Sequence, residues 1–252
     1  MSVTVLECFA GIGGMSFGLE RAGMDVVGQI EIDPWCRQLL ARHWPEVPRH
    51  DDIHTAPEWW AGRSVDVISG GPPCQPNSLA GRGLAQADPR WLWPAMAALI
   101  ASARPRAVII EGVPGLRNRG LVDILHDLRG LGFHGRAGVL GADQLGAPQH
   151  RKRIFVLAYA QRPGCRAGRG RRTVEARPPT VEQGRPGVES DRSGWWPAEP
   201  DVGRVAYGVP GRVDPLRGLG NAVVPAVAET IGRIVIEQLG QYERPGRNGS
   251  NG

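Results

Sequence analysis

Long apolar runs are missing from this chain. No stretch of its 252 residues reaches the roughly 18 consecutive apolar residues that a membrane-crossing helix needs. Cysteine is scarce, with only Cys8, Cys36, Cys74 and Cys165. None of them forms a C-x-x-C pair, and their gaps suit neither a zinc site nor a small disulfide scaffold. Free thiols in a reducing compartment are expected, one of which is available for catalysis. Met1 to Phe9 carries neither a basic segment nor a cleavage pattern, so it does not read as a secretory signal. A cytoplasmic protein with no membrane partner is the default expectation. Lysine is almost absent: Lys152 is the only one, and the net charge of +5 rests on arginine. That balance is compatible with a polyanionic partner, but an arginine-rich composition is also what a GC-rich genome produces, so charge alone favours nucleic acid only mildly.

The size of the chain suits one α/β domain with a core of its own and leaves room for a small appendage. Thr4–Phe9 is a short apolar run ending in glycines, which predicts a buried strand and a turn. Helical spacing follows over Met15–Arg21, and Asp25–Ile30 predicts a second strand ending at Glu31. Pro34 opens a helix through about His43, proline being favourable at a first helical position. Val65–Ser69 and Ala107–Ile110 read as strands, the latter ending at Glu111, and Ile154–Ala158 as another. Trp91–Ala103, Leu121–Arg129 and Pro225–Leu239 read as helices. This alternation predicts a doubly wound, mostly parallel sheet. Ligands bind such sheets beyond the carboxyl ends of the strands. Gly11–Gly14, Glu31, Cys74 and Glu111 all fall there, which predicts one shared crevice.

Each motif has a plain structural alternative. Cys8-Phe9-Ala10-Gly11-Ile12-Gly13-Gly14 lies between a strand and a helix, where glycines let the backbone approach a ligand. It is not a dinucleotide fingerprint, because Ser16 stands where the last glycine belongs, and no Gly-Lys-Ser/Thr follows to make a phosphate loop. Glu31, about 20 positions on, can accept hydrogen bonds from both hydroxyls of a ribose, and Asp52 from an adenine amino group. Together they suit an adenosine-type cofactor without a required pyrophosphate. Gly70-Gly71-Pro72-Pro73-Cys74-Gln75-Pro76-Asn77-Ser78 is a rigid loop in which prolines flank a cysteine. A lone cysteine is usually a small buried hydrophobe, but this one sits in a polar loop at a strand end, where a thiolate nucleophile is useful. It has no neighbouring histidine for a protease-like pair. Glu111 suits a general acid with a raised pKa, or an ordinary strand-end glutamate. In Gln149-His150-Arg151-Lys152-Arg153, an extended backbone places Gln149, Arg151 and Arg153 on one face. That face suits an anion or a carbonyl-bearing base, or is merely a solvated strand start. Gln161 to about Val202 is rich in Gly, Pro and Arg and lacks hydrophobic periodicity. It reads equally as a disordered insertion or as a nucleic-acid-contacting segment that orders on binding.

In this order the pieces resemble the cytosine-5 DNA methyltransferase family, most closely its compact phage-like members. The matching residues are Phe9, Gly11 and Gly13; Pro73, Cys74 and Gln75; Gln149, Arg151 and Arg153; and Gly220, Asn221, Val223 and Pro225. The resemblance implies a Rossmann-like fold that binds S-adenosyl-L-methionine, and a double-stranded DNA substrate. It implies a catalytic and cofactor-binding part over 1–160, a short target recognition insertion over 161–203, and a return segment with closing helix over 204–252. It further implies Cys74 as nucleophile, with Glu111, Arg151 and Arg153 around the target base. Phe9, Ala10, Gly11, Ile12, Gly13, Gly14, Glu31, Ile32, Asp52, Ile53, Pro73, Asn221 and Val223 would line the cofactor site.

The chain departs from the family pattern at Asn77, where Phe is common, at Gly112, where Asn is usual, and at Ile32, where an aromatic often stands. Gly112 would leave the cysteine loop unbraced, so slower turnover is expected. A catalytically weak or inactive DNA-binding relative and an RNA cytosine-5 methyltransferase stay open as alternatives. The target sequence and any companion restriction endonuclease are not readable, and a monomer is the most economical state.

Overall fold

The computed structural model describes residues 2–73, 91–118, 120–147, 150–161 and 222–243. Cys74, Gln75, Asn77, Gln149, Gly220 and Asn221 lie outside the described residues, as does nearly all of the segment 161–203.

Strand β1 (Val3–Cys8) leads through a glycine turn into helix α1 (Gly14–Arg21), and strand β2 (Met24–Ile30) into helix α2 (Pro34–His43). Asp33 caps α2 by accepting from the backbone N–H of Trp35 and Cys36, with Pro34 in the first turn, which satisfies donors a helix start leaves unpaired. Strand β3 (Arg49–His50) and helix α3 (Ala56–Trp60) are short. Strand β4 (Val67–Gly70) precedes helix α4 (Trp93–Ala103), and strand β5 (Ala107–Gly112) is followed by a 3-10 turn (Pro114–Asn118) and helix α5 (Leu121–Gly130). Strands β6 (Phe133–Gly141) and β7 (Lys152–Ala160) follow, and helix α6 (Pro225–Glu243) comes last among the described residues.

These strands form one sheet in the order β3-β2-β1-β4-β5-β7-β6. The first five are parallel, while β7 runs antiparallel to both β5 and β6. Both faces are covered, so the central strands are mostly apolar on both faces rather than alternating, the buried Glu7, Gln29 and Ser69 excepted. Their side chains nevertheless divide by parity. Leu6, Ile68, Val108 and Ile110 pack with Trp93, Met96, Leu99 and Ile124 on one face. Val5, Val67 and Ile109 pack with Met15 and Leu19 of α1 and with Val227, Ile231 and Val235 of α6 on the other. Helices α1 and α6 approach closely because Gly18 has no side chain: a Cβ there would lie 2.3 Å from the Pro225 carbonyl oxygen.

The alternating architecture matches the sequence expectation, with three refinements. Glu111 lies inside β5, opposite Phe155, rather than after the strand. Arg153 likewise lies inside β7. The edge strand β6 was not expected: its middle is exposed and it holds Gly135, Gly138 and Gly141, so no apolar alternation marks it.

Candidate active site

Phe9–Gly14 and Glu31, the residues expected at the cofactor, gather where β1 and β2 end. Phe9 adopts a left-handed backbone, φ +56°, as does Gly11 at +55°. A left-handed conformation at a bulky residue costs about 1–3 kcal/mol and persists where the surroundings impose it. Here the Ala10 N–H donates to the Ile30 carbonyl at 3.0 Å, and the Gly13 N–H closes the turn on the Ala10 carbonyl at 2.9 Å. Glu31 holds the turn from the side: Oε2 accepts the Gly11 N–H at 2.7 Å and Oε1 accepts the Asp33 N–H at 2.8 Å. A carboxylate offers about four acceptor directions, so two remain for a ligand's hydroxyls. Ile32 stands 72% exposed beside it. Val223 closes the other flank, its carbonyl oxygen 2.3 Å from where a Cβ on Gly14 would sit.

Asp52 and Ile53 are engaged differently. The Asp52 carboxylate accepts the His54 N–H at 2.9 Å in a local turn, and the Ile53 side chain is buried in the core under α3 and α4.

The second group lies along the ends of β4, β5 and β7. Arg153 Nε is 2.7 Å from Glu111 Oε1, with both side chains largely buried. Burial pushes the Glu111 carboxyl above the usual carboxylate range, outweighing the opposite pull of Arg153 and Arg151. This is the direction expected of a group that holds a proton at a reaction centre. Arg151 donates to the Ala222 carbonyl at 2.7 Å, which ties the arginine segment to the stretch carrying Val223. The chain leaving β4 runs directly against Glu111: a Cβ on Gly71 would lie 2.8 Å from Glu111 Oε2. Pro72 and Pro73 follow at once, and Cys74 is the next residue in sequence.

Glu111, Arg151, Arg153 and the start of the cysteine loop are therefore brought together, as are Phe9–Gly14, Glu31 and Val223. The sequence reading missed Gly71, whose lack of a side chain admits Glu111, and Ala222, which receives Arg151. Gly112 lies against Leu116: a Cβ there would lie 2.5 Å from Leu116 Cδ2 and 3.3 Å from Leu116 Cβ. Leu116, 2% exposed, fills the volume beside it.

A doubly wound sheet with a glycine turn after β1 and an acid at the end of β2 has the architecture of Rossmann-like methyltransferases. The DNA modification methyltransferase encoded within an E. coli prophage superposes with a TM-score of 0.54 at 27% identity, over 63% of this chain and 47% of that one. The Dnmt2 methyltransferase of S. pombe does so with a TM-score of 0.55 at 25% identity, over 65% and 53%. The family model for C-5 cytosine-specific DNA methylase matches residues 3–184, and the chain belongs to that family. Type II methyltransferase M.HgiCII of Herpetosiphon aurantiacus is 36% identical over 167 residues, 63% of this chain and 38% of that protein. Type II methyltransferase M.NgoMIV of Neisseria gonorrhoeae is 35% identical over 164 residues, 63% and 52%. The chain thus matches only 38% and 52% of the length of these two relatives.

Proposed function

We propose that the chain is a DNA (cytosine-5-)-methyltransferase that modifies a flipped-out cytosine in double-stranded DNA with S-adenosyl-L-methionine as methyl donor. The observation that carries the reading is the Glu111–Arg153 pair pressed against Gly71, three positions before Cys74. The cofactor residues fit an adenosine-type group. A Cβ on Gly11 would meet nothing within 4 Å, so the turn faces open space, and Glu31 keeps free acceptor capacity beside the exposed Ile32. The cofactor supplies an electrophilic methyl group. Phe9–Gly14, Glu31, Ile32, Pro73 and Val223 would hold it, with Asp52 toward the adenine end, Ile53 behind it in the core, and Asn221 of the return segment completing the set.

Carbon 5 of cytosine is a poor nucleophile. The Cys74 thiolate would add to carbon 6, leaving the electron pair of the former 5,6 double bond at carbon 5; carbon 5 would then take the methyl carbon as the donor's sulfur–methyl bond breaks and that bond's electrons return to sulfur. Glu111 bonds the nitrogen 3 edge and favours that addition. Arg153 keeps Glu111 in place, and with Arg151 it faces the carbonyl oxygen of the base. A base then takes the carbon 5 proton, the double bond re-forms and Cys74 leaves as thiolate. Two lower barriers thereby replace one high one. Taking the base out of the stack costs roughly a few kcal/mol, and phosphate contacts from arginines in 161–203, the proposed target recognition region, help to offset this. Among the described residues no helix is long and apolar enough to cross a membrane.

The test is to incubate the protein with labelled S-adenosylmethionine and either mixed-sequence duplex DNA or tRNA, then identify the labelled nucleoside. Label in 5-methylcytosine from DNA is the expected result. Label only in tRNA, or DNA binding without any label, would overturn the reading. A duplex carrying 5-fluorocytosine should trap a covalent adduct that Cys74→Ala abolishes; an adduct surviving that change would remove Cys74 as nucleophile.

A further inference from the structure

The mechanism leaves one buried acid unused. Glu7, 2% exposed, lies on β1 between Gln29 of β2 and Ser69 of β4 in the sheet register, and both of those side chains are fully buried. These three polar residues form a row across the central strands beneath α1. Gln29 Nε2 donates to Ser16 Oγ at 3.0 Å, and the Ser16 hydroxyl donates to Glu7 Oε2. The Ser16 backbone N–H also donates to Glu7. Helix α1 needs this acceptor, because its N-cap is Gly13, which has no side chain, and its first turn has no acid. Glu7 thus caps α1 from the sheet below and joins the three elements that present Phe9–Gly14 and Glu31.

The surroundings of Glu7 oppose a charge. The charged groups acting on it are Glu31 at the end of β2 and Glu20 on α1, both acidic. Arg21 of α1 and Glu229 of α6 pair with each other at 2.9 Å. The thiol of Cys8, the next residue, is buried on the opposite face of the sheet. From β4 and β2 the row offers Ser69 Oγ and Gln29 Oε1, which have no hydrogen-bond partner among the described residues.

We infer that Glu7 is a positioning residue for the cofactor: buried in the row with Gln29 and Ser69 and bound by Ser16, it ties the start of α1 to β1 and β2, and a charge on it, set beside Glu20 and Glu31 with no cation among the groups acting on it, loosens the glycine turn. The inference rests on the proposed use of S-adenosylmethionine. Burial pushes the Glu7 carboxyl up to about 8, which sets where the effect is read.

Calorimetric binding of S-adenosylmethionine across pH 6.5 to 9.5 tests this. If only the protonated form is competent, the competent fraction at pH 9 is about one in eleven, so the wild-type Kd should be about tenfold weaker there than at pH 7. The ligand's own α-amino group titrates in the same window, and its contribution cancels in the comparison with Glu7→Gln. That conservative variant should lack the protein's share of the alkaline limb and rescue what Glu7→Ala loses at pH 7. Ser16→Ala removes a hydrogen bond that favours the ionised form, so its midpoint should move to higher pH; this arm stands even where Glu7→Gln does not fold. An alkaline limb in Glu7→Gln equal to that of wild type would overturn the inference, as would a Ser16→Ala midpoint that stays put. So would a Glu7→Gln as weak as Glu7→Ala at pH 7. No binding by the wild type at any pH overturns the proposed function, and the inference with it.

Discussion

Replacing Gly112 by Asn, the residue usual there in the family, should damage this protein rather than improve it. Gly112 is not in a left-handed conformation, so the backbone tolerates a side chain and the obstacle is spatial. A Cβ would meet Cδ2, Cβ and Cγ of Leu116 at 2.5, 3.3 and 3.4 Å. Leu116 is itself buried against the α4 and α5 face of the core, so it has nowhere to retreat without disturbing its neighbours. Overpacking of this kind costs about 1–3 kcal/mol, and at about 2–4 °C per kcal/mol for a domain of this size the melting temperature should fall by about 2–12 °C. Leu116→Ala alone should cost about 2–5 kcal/mol through lost burial and a cavity. The double variant should cost less than the two together, because the new side chain enters the space the leucine leaves. A coupling of about 1–3 kcal/mol is expected for residues in contact. Denaturant unfolding of the four proteins, with kcat measured alongside, reads both effects. If Gly112→Asn is as stable as wild type, or the two costs simply add, the steric account is wrong.

Glu111→Gln should lower kcat by about 100- to 10,000-fold, the usual range for a positioned acid or base, with little change in cofactor affinity; an equal loss in Kd for S-adenosylmethionine would place Glu111 outside the reacting centre. Glu31→Ala releases two backbone N–H groups, each bond being worth about 1 kcal/mol, so a lower melting temperature should accompany at least about tenfold weaker cofactor binding. Weaker binding with an unchanged melting temperature would mean that Glu31 does not hold the turn. Glu7 also predicts a pH profile of stability. Its folded value of about 8 lies above the ordinary 4.5, so its contribution is full below pH 4.5 and is lost as pH rises to about 8. Relative to Glu7→Gln, the wild type should lose about 1.4 kcal/mol per pH unit within that window and level off above it; a wild type that gains stability relative to Glu7→Gln as pH rises would carry the wrong sign.

The parallel part of the fold was legible because its strands are buried on both faces. Thr4–Phe9 and Ala107–Ile110 read as apolar runs, and Pro34 announces its helix as a first-turn proline, with Asp33 as the N-cap in the structure. The two edge strands were not legible: β3, at the parallel edge, has two residues, and at the antiparallel edge glycine in β6 erases alternation. Site residues were legible when local motif chemistry marked them, as with the turn Gly11–Gly14. The pairing of Glu111 with Arg153 was not, because it depends on β7 entering the sheet antiparallel beside β5. Neither was the fit of Leu116 beside Gly112, since a glycine in sequence does not show whether its missing side chain leaves space or makes room for a neighbour. The row of Gln29, Glu7 and Ser69 did leave a trace, as single polar residues inside otherwise apolar strands. Its meaning required the register that sets all three side by side.

Three glutamates near the carboxyl ends of β1, β2 and β5 show why one residue type serves three purposes here. Glu7 is closed off from water and bound by Ser16, so its chemistry is that of a neutral cap. Glu31 spends one acceptor direction of each oxygen on backbone N–H groups, leaving the others toward the turn's open side. Glu111 faces a guanidinium at 2.7 Å yet is still raised by burial, the balance that lets a carboxyl hold or release a proton as a substrate ring approaches. Exchanging any two of these environments would remove the function of both. An ionised Glu7 would face Glu20 and Glu31 with no cation among the groups acting on it, and a Glu111 stripped of Arg153 would lose the one ion-pair partner that opposes its burial most directly. The partners set around each carboxyl, rather than the carboxyl itself, therefore separate structural support from the proposed cofactor binding and the proposed catalysis in this chain.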